Sequence, residues 1–335
     1  MSPDRTQAGR GGPRVRGRLV VLVLGVVALA ACSTSEAERE GKTTACAPEE
    51  LVVDDHLVPE CGVLFGTLDP SPSVVTATPT MIGLDHQRDV VRLARPGAED
   101  FEFGITRRYQ RGPGKAAAAL DGLLAEASLA TGRRIYFNWK VEVGEGAWAA
   151  VAAGDYDDAL RDVAATVDRH DQTLFFSLHH EPENDAEGSA DDYIAMWRHV
   201  HDVIEGELAA LPGVGSVVWV IDYMGHVDGE GLELVDAYYP GNDYVDWIAF
   251  NPYNWKYCGG RQWRPFAELA RPMVDYLTTS ERFLTDGMAK PLMVGETGTH
   301  EGETADEDKA QWLLDLNAAL RSEEYAPIKA VVYYN

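Results

Sequence analysis

Basic residues are scarce in this chain. Lys and Arg number 29 against 54 Asp and Glu in 335 residues, a formal net charge of −25 at pH 7. Such a chain has no general affinity for nucleic acid or anionic lipid, both of which need positive surface. Cysteine is scarcer still, at 4; one of these, Cys32, closes an N-terminal segment of export-signal type, and the remaining Cys46, Cys61 and Cys258 are too few for a metal ribbon built on four thiolates. The longest apolar run, Leu19 to Ala30, is about a dozen residues, short of the roughly 20 that a bilayer core requires. There is no Gly-rich phosphate loop: the first β-prone run ends Phe65-Gly66-Thr67-Leu68 rather than GxGxxG, which argues against an open dinucleotide-binding sheet. Repeats and charge blocks are missing too, and with Gly 32 and Pro 17 collagen-like, coiled-coil and disordered chains are set aside.

What is present begins with an address. Arg5, Arg10, Arg14, Arg16 and Arg18 precede the apolar run, which ends Leu29-Ala30-Ala31-Cys32. A basic head, a short apolar stretch and small residues make an export signal over 1–31. The last four residues resemble a bacterial lipobox, so Cys32 is expected to carry lipid and anchor the protein to the outer face of the cell membrane. An ordinary secretory signal is the alternative. Residues 32–59 are polar and acidic, which suits a flexible tether, and 60–335 form the folded domain. In an oxidising compartment Cys46 and Cys61 are expected to pair, with Cys46–Cys258 left open as the alternative.

Hydrophobic residues make up 45% of the chain, enough for a large core. From Cys61 onward, β-prone runs at 62–68, 101–106, 134–140, 173–180, 216–222, 246–251, 291–296 and 329–334 alternate with helical periodicities. Leu120, Leu123, Leu124 and Ala127 share one helix face, as do Ile194, Trp197, His201, Ile204 and Leu208. Asp155 and Asp158 mark a helix start ahead of Leu160, Val163 and Val167. Runs such as Leu174-Phe175-Phe176 are continuously apolar, the mark of strands covered on both faces. Eight such strands with helices between them read as a (β/α)8 TIM barrel. The sequence stops directly after the eighth run, so a last helix is not read in it: either the sequence is truncated there or the barrel is capped in another way.

Barrel chemistry gathers at the C-terminal ends of strands. Two strand ends carry it here: Ser177-Leu178-His179-His180-Glu181-Pro182-Glu183 on the fourth, and Val294-Gly295-Glu296-Thr297-Gly298 on the seventh. Glu181 and Glu296 lie about three βα units apart, as a pair of carboxylates on facing walls would. Two carboxyl groups about 5–5.5 Å apart suit retaining glycoside hydrolysis, one attacking the anomeric carbon and the other protonating the leaving oxygen. Trp139 and Trp255, at the ends of the third and sixth strands, are candidates for stacking on sugar rings. Arg108 and Tyr109, ending the second, are candidates for binding hydroxyls, with a structural salt bridge equally open. Trp197, Trp219 and Trp312 are read as core.

With these residues the sequence resembles the clan A retaining glycoside hydrolases, and within them glycoside hydrolase family 26, whose acid/base glutamate follows a histidine as His180-Glu181 does. Asp246-Trp247-Ile248-Ala249-Phe250-Asn251-Pro252-Tyr253 is similar to that family's sixth strand, which ends in a tyrosine beside the nucleophile. The resemblance implies Glu181 as acid/base, Glu296 as nucleophile, and Tyr253 and His180 in support. It implies no cofactor or metal, and a polysaccharide or oligosaccharide substrate. Family substrates include β-mannan, taken first here, β-1,3-xylan and mixed-linkage β-glucan. In place of the tryptophan-rich stretch of many family mannanases, Pro182-Glu183-Asn184-Asp185-Ala186-Glu187 follows the acid/base. A monomer without nucleic-acid partners is expected.

Two other readings compete. His179, His180, Glu181 and Glu183 are a concentration of metal ligands, but their consecutive spacing and Pro182 oppose the helical HExxH arrangement. A non-catalytic carbohydrate-binding lipoprotein is the other.

Overall fold

The computed structural model describes residues 53–60, 62–68, 104–128, 133–225, 231–255, 262–300, 302, 304 and 307–334. The export segment, Cys32, Cys46, Cys61 and Cys258, and with them the lipidation and disulfide expectations, lie outside the described residues.

Eight parallel strands close into a barrel, each paired with its sequence neighbour and β8 with β1. They are β1 (Leu64–Leu68), β2 (Ile105–Arg111), β3 (Arg134–Lys140), β4 (Thr173–Leu178), β5 (Ser216–Tyr223), β6 (Trp247–Phe250), β7 (Leu292–Thr297) and β8 (Ile328–Tyr333). Seven helices are described: α1 (Ala116–Ala127), α2 (Ala147–Ala152), α3 (Asp157–His170), α4 (Ala190–Ala210), α5 (Gly231–Ala237), α6 (Phe266–Thr279) and α7 (Lys309–Leu320). The fold is a (β/α)8 barrel.

Alternation along each strand divides the apolar residues into two cores. Tyr136, Phe175, Val218, Trp247, Met293 and Ala330 fill the barrel interior, while Phe137, Phe176, Trp219, Ile221 and Phe250 pack outward against the helices. This explains the unbroken apolar runs, since both faces of every strand are covered. Helix ends follow local chemistry. The first turn of α3 holds Asp157 and Asp158, and its last turn Arg169 and His170, which complements the helix dipole at both ends. α4 opens on a capping box between Ser189 and Asp192.

Three expectations need correction. The tether does not extend to residue 59: Val53 pairs with Pro59, and Leu57, 3% exposed, belongs to the interior core. Trp247 Nε1–H also donates to His56 O at 2.7 Å. This small hairpin plugs the N-terminal end of the barrel. Leu57 has a left-handed φ of 60°, a cost of about 1–2 kcal/mol that burying a leucine, at about 1.5–3 kcal/mol, offsets. Second, β2 runs over Ile105–Arg111 rather than 101–106, because its polar stretch Thr106-Arg107-Arg108-Tyr109 is a strand whose inward residues are not apolar. Third, α3 starts at Asp157, two residues after Asp155, and the buried face of α4 is Tyr193, Met196, Trp197, Val200 and Ile204. Ile194, His201 and Leu208 border that face. Trp197, Trp219 and Trp312 are core.

Candidate active site

The C-terminal end of the barrel is built around one buried ion pair. Arg107 on β2 and Asp222 on β5 are both fully buried, with Nη2 2.5 Å from Oδ2. The rings of Tyr109 and Tyr136 lie 4.6 and 4.5 Å from the guanidinium, and Tyr136 OH donates to Asp222 Oδ2 at 2.9 Å. Burial works against the Arg107 charge, but Asp222, the two tyrosines and Glu296 outweigh it and hold its pKa above the ordinary value. Burial pushes Asp222 upward, against the pull of Arg107. Each charge would cost several kcal/mol to desolvate alone, so the pair persists as a unit.

Glu296 reaches this centre through a β-bulge. β8 advances from Val331 to Tyr333 while β7 advances from Val294 to Thr297, so one extra residue sits on β7. Val294 packs outward, and Gly295 faces inward so closely that a Cβ there would stand 2.8 Å from Asn251 Oδ1 and 2.9 Å from both Arg107 Nη1 and Asp222 Oδ1. Strict alternation would then turn Glu296 toward the helices. The bulge re-aims it into the mouth. There Oε1 accepts from Tyr109 OH and lies 3.4 Å from Arg107 Nη2, while Oε2 accepts from Tyr253 OH at 2.7 Å. Burial and the Glu296 charge raise the pKa of both tyrosines, with Arg107 opposing, so both remain donors.

Glu181 arrives by a different route. His179 and Glu181 have φ of 42° and 54°, and this turn after β4 breaks the alternation. His179 packs against Trp148 in the outer layer, and His180 turns inward to Asn138 Oδ1 at 3.2 Å and the Tyr109 ring at 4.9 Å. Glu181 N–H donates to Asp222 O at 2.7 Å, and Asn251 Nδ2–H donates to Glu181 Oε1 at 2.8 Å. Burial raises the Glu181 pKa to about 7, with the charges of Glu296 and Asp222 adding to it and the Asn251 bond opposing. Glu183 is pushed up to about 8, again by burial, and its Oε1 accepts Met224 N–H at 2.5 Å. Burial, then Arg107 and Lys140, lower the His180 pKa well below its ordinary value.

Glu181, Glu296, His180, Tyr109 and Tyr253 thus gather at one place. Trp255 joins its border, half-buried, with its ring 4.6 Å from that of Tyr253. Two expected residues do not. Trp139 is fully buried on the outer face of β3, edge-on to Phe176, and its Nε1–H donates to Gly112 O. It cannot stack on a sugar. Arg108 occupies the face of β2 opposite Arg107 and Tyr109, in register with the outward Phe137. The arginine of the site is Arg107. Sequence reading also missed Asp222 and Asn251. Each is a polar residue at the end of an apolar strand, a signal weighed at β4 and β7 but not at β5 and β6.

The ligands imagined for a metal do not converge. His179 faces outward and His180 inward, and among the described residues the group close enough to share an ion is His179, Asp185 and Glu187. Both ring nitrogens of His179 are already engaged there, Nδ1 by Trp148 Nε1–H and Nε2 by Asp185 O.

No family model matches the chain. Endoglucanase H of Acetivibrio thermocellus is 26% identical over 145 residues, 43% of this chain, and the match spans only 14% of that protein's length. Among solved structures, GH26C of Muricauda sp. is similar with a TM-score of 0.56 at 14% identity, over 82% of this chain and 79% of that one. The catalytic domain of the GH26 endo-β-1,4-mannanase of Bacillus sp. JAMB-750 is similar with a TM-score of 0.55 at 13% identity, over 81% and 76%. At these identities the likeness is one of fold, and it covers the barrel.

Proposed function

We propose that the protein is a retaining glycoside hydrolase acting on β-linked polysaccharide or oligosaccharide, with Glu296 as nucleophile and Glu181 as acid/base. The observation that carries the reading is the unlike treatment of two carboxyl groups around one buried Arg107–Asp222 pair. Glu296 accepts from two tyrosine hydroxyls beside a guanidinium, whereas Glu181 is sheltered enough to keep its proton to about pH 7. A carboxyl group that keeps its proton, set near one held by hydrogen-bond donors, divides acid and nucleophile roles.

In the first step Glu296 attacks the anomeric carbon, and Glu181 gives its proton to the departing oxygen. In the second, Glu181 takes a proton from water as the water displaces Glu296, so two inversions give net retention. Tyr109 and Tyr253 hold Glu296 for in-line attack. His180, neutral and bonded through Nδ1 to Asn138, offers Nε2 to a substrate hydroxyl, and Trp255 offers a ring face. The β-mannan preference is supported by the family resemblance and by the mannanase among the similar structures. The same proposal has lipid on Cys32 hold the enzyme on the outer face of a bacterial membrane, where it would meet polymers too large to enter; the support for it is the basic, apolar and small-residue pattern of residues 1–32.

The test is hydrolysis of β-mannan, β-xylan and β-glucan by the full chain and by Glu296→Ala, with the anomeric form of the first product read by NMR. Turnover with retention, lost in the variant, is expected. An inverted product would overturn the mechanism, and tight binding of polymer without turnover would favour a non-catalytic carbohydrate-binding role.

A further inference from the structure

In a regular continuation of β4, Leu178 would face outward, His179 inward and His180 outward. Instead Leu178 and His179 both face the helices and His180 turns in, because His179 is left-handed at φ 42°. That conformation is disfavoured for any residue with a Cβ, so it persists only where other contacts impose it.

Those contacts converge on the His179 ring, which is buried. It stands edge-on to Trp148 of α2, with centroids 5.0 Å apart at 83°. Nδ1 accepts Trp148 Nε1–H at 3.1 Å, and Nε2 lies 2.7 Å from Asp185 O. A carbonyl only accepts, so Nε2 carries the proton and Nδ1 the lone pair. Burial and the nearby Lys140 hold this neutral form down to about pH 4. Asp185 is the far end of the turn that carries Glu181: Asn184 and Asp185 N–H donate to Glu181 O at 3.0 and 3.1 Å. The imidazole therefore ties both ends of the 179–185 turn to α2.

We propose that His179 is a positioning residue for the acid/base, its ring locked between Trp148 and the Asp185 carbonyl so that the left-handed step aims His180 and Glu181 into the cleft. The inference rests on Glu181 and Glu296 being the reacting pair. His179 touches no substrate, and its effect is on where the Glu181 proton is delivered. His179→Gly would tolerate the backbone angle while removing both ring bonds, and Trp148→Phe would keep the aromatic wall while removing one donor.

The experiment measures kcat, KM and the pH profile of the full chain on an unactivated β-oligosaccharide and on an activated aryl glycoside. His179→Gly is expected to lower kcat on the oligosaccharide about 100-fold with KM within about threefold, to displace the alkaline limb, and to spare the first step on the aryl glycoside, which needs little proton donation. Trp148→Phe should reproduce the pattern at about tenfold, the scale of one hydrogen bond. Unchanged kcat and alkaline limb in both variants would overturn the proposal, as would equal losses on both substrates. If His179→Gly does not fold, Trp148→Phe decides on the same criteria. Glu296→Ala, run beside them, separates the two levels: turnover by that variant sinks the reading of the site, whereas its inactivity beside two normal variants sinks the positioning role alone.

Discussion

Glu181 stands on a turn beyond β4 that contains two left-handed residues, whereas Glu296 stands within β7 on a bulge whose flanks are still paired to β8. The turn keeps backbone bonds to its neighbours through Glu181 N–H to Asp222 O and His179 N–H to Trp139 O, and the rest of its hold involves side chains: Asn251 on the carboxyl, Glu183 on Met224 N–H, Trp148 on His179. The bulge is held by the strand ladder itself. A nucleophile needs fixed aim, and a strand supplies it. An acid that becomes a base between two steps needs a tuned environment, and a turn with many separate contacts can be tuned without moving the barrel.

The largest effect that would break this comparison is at the rigid end. Glu296→Ala should lower turnover at least about 1,000-fold, roughly 4 kcal/mol of barrier, on every substrate; azide occupying the vacated space should displace the aglycone of an activated glycoside to give a glycosyl azide of inverted configuration, without restoring hydrolysis. Comparable residual rates on activated and unactivated glycosides would be consistent with it, and full activity would remove the site. Glu181→Ala should cost about 100- to 10,000-fold on unactivated substrates, much less in the first step on activated aryl glycosides, with azide rescuing the second. An equal loss on all substrates would erase the distinction between the two ends.

The tuned end should also show in stability. Glu183 has its pKa raised from 4.5 to about 8 by burial, so the folded state holds a proton that the unfolded chain has released. Stability from this group is fully present below about pH 4.5 and is lost as pH rises through about 8, on the order of a few kcal/mol. Urea unfolding at pH 5 and 8.5 should show the drop in the native protein and a smaller one in Glu183→Gln, whose amide oxygen still accepts Met224 N–H. Identical drops would place the proton elsewhere. Finest is the alkaline limb of kcat/KM near pH 7, where Glu181 loses the proton it must donate. Asn251→Ala removes a donor that favours the charged form, so the limb should move to higher pH, by up to about one unit. A move downward would reverse the assigned sign.

The barrel was legible because both faces of its strands are apolar: 134–140 matches β3 residue for residue, and seven of the eight runs fall within two residues of their strands. β2 escaped because Arg107 and Tyr109, which serve the site, occupy its inward positions in place of core side chains. The two glutamates were legible as carboxylates closing apolar strands. Arg107 was not, because the choice between it and Arg108 depends on which face each occupies, and strand phase is invisible when both neighbours are polar. Trp139 failed for the same reason in reverse: its position at the strand end was right, its face was not. No spacing rule could have shown the left-handed steps at His179 and Glu181, which shift the phase by one residue.

The hairpin at 53–60 bears on how the protein can be handled. A recombinant fragment cut at residue 60, the boundary that composition alone recommends, would lose Leu57 from the barrel floor and the bond from Trp247 to His56 O. Interior side chains such as Met293 and Ala330 would then face water at the end remote from the cleft. Such a fragment should bind a hydrophobic dye, aggregate on concentration and melt several degrees lower than one beginning ahead of residue 53.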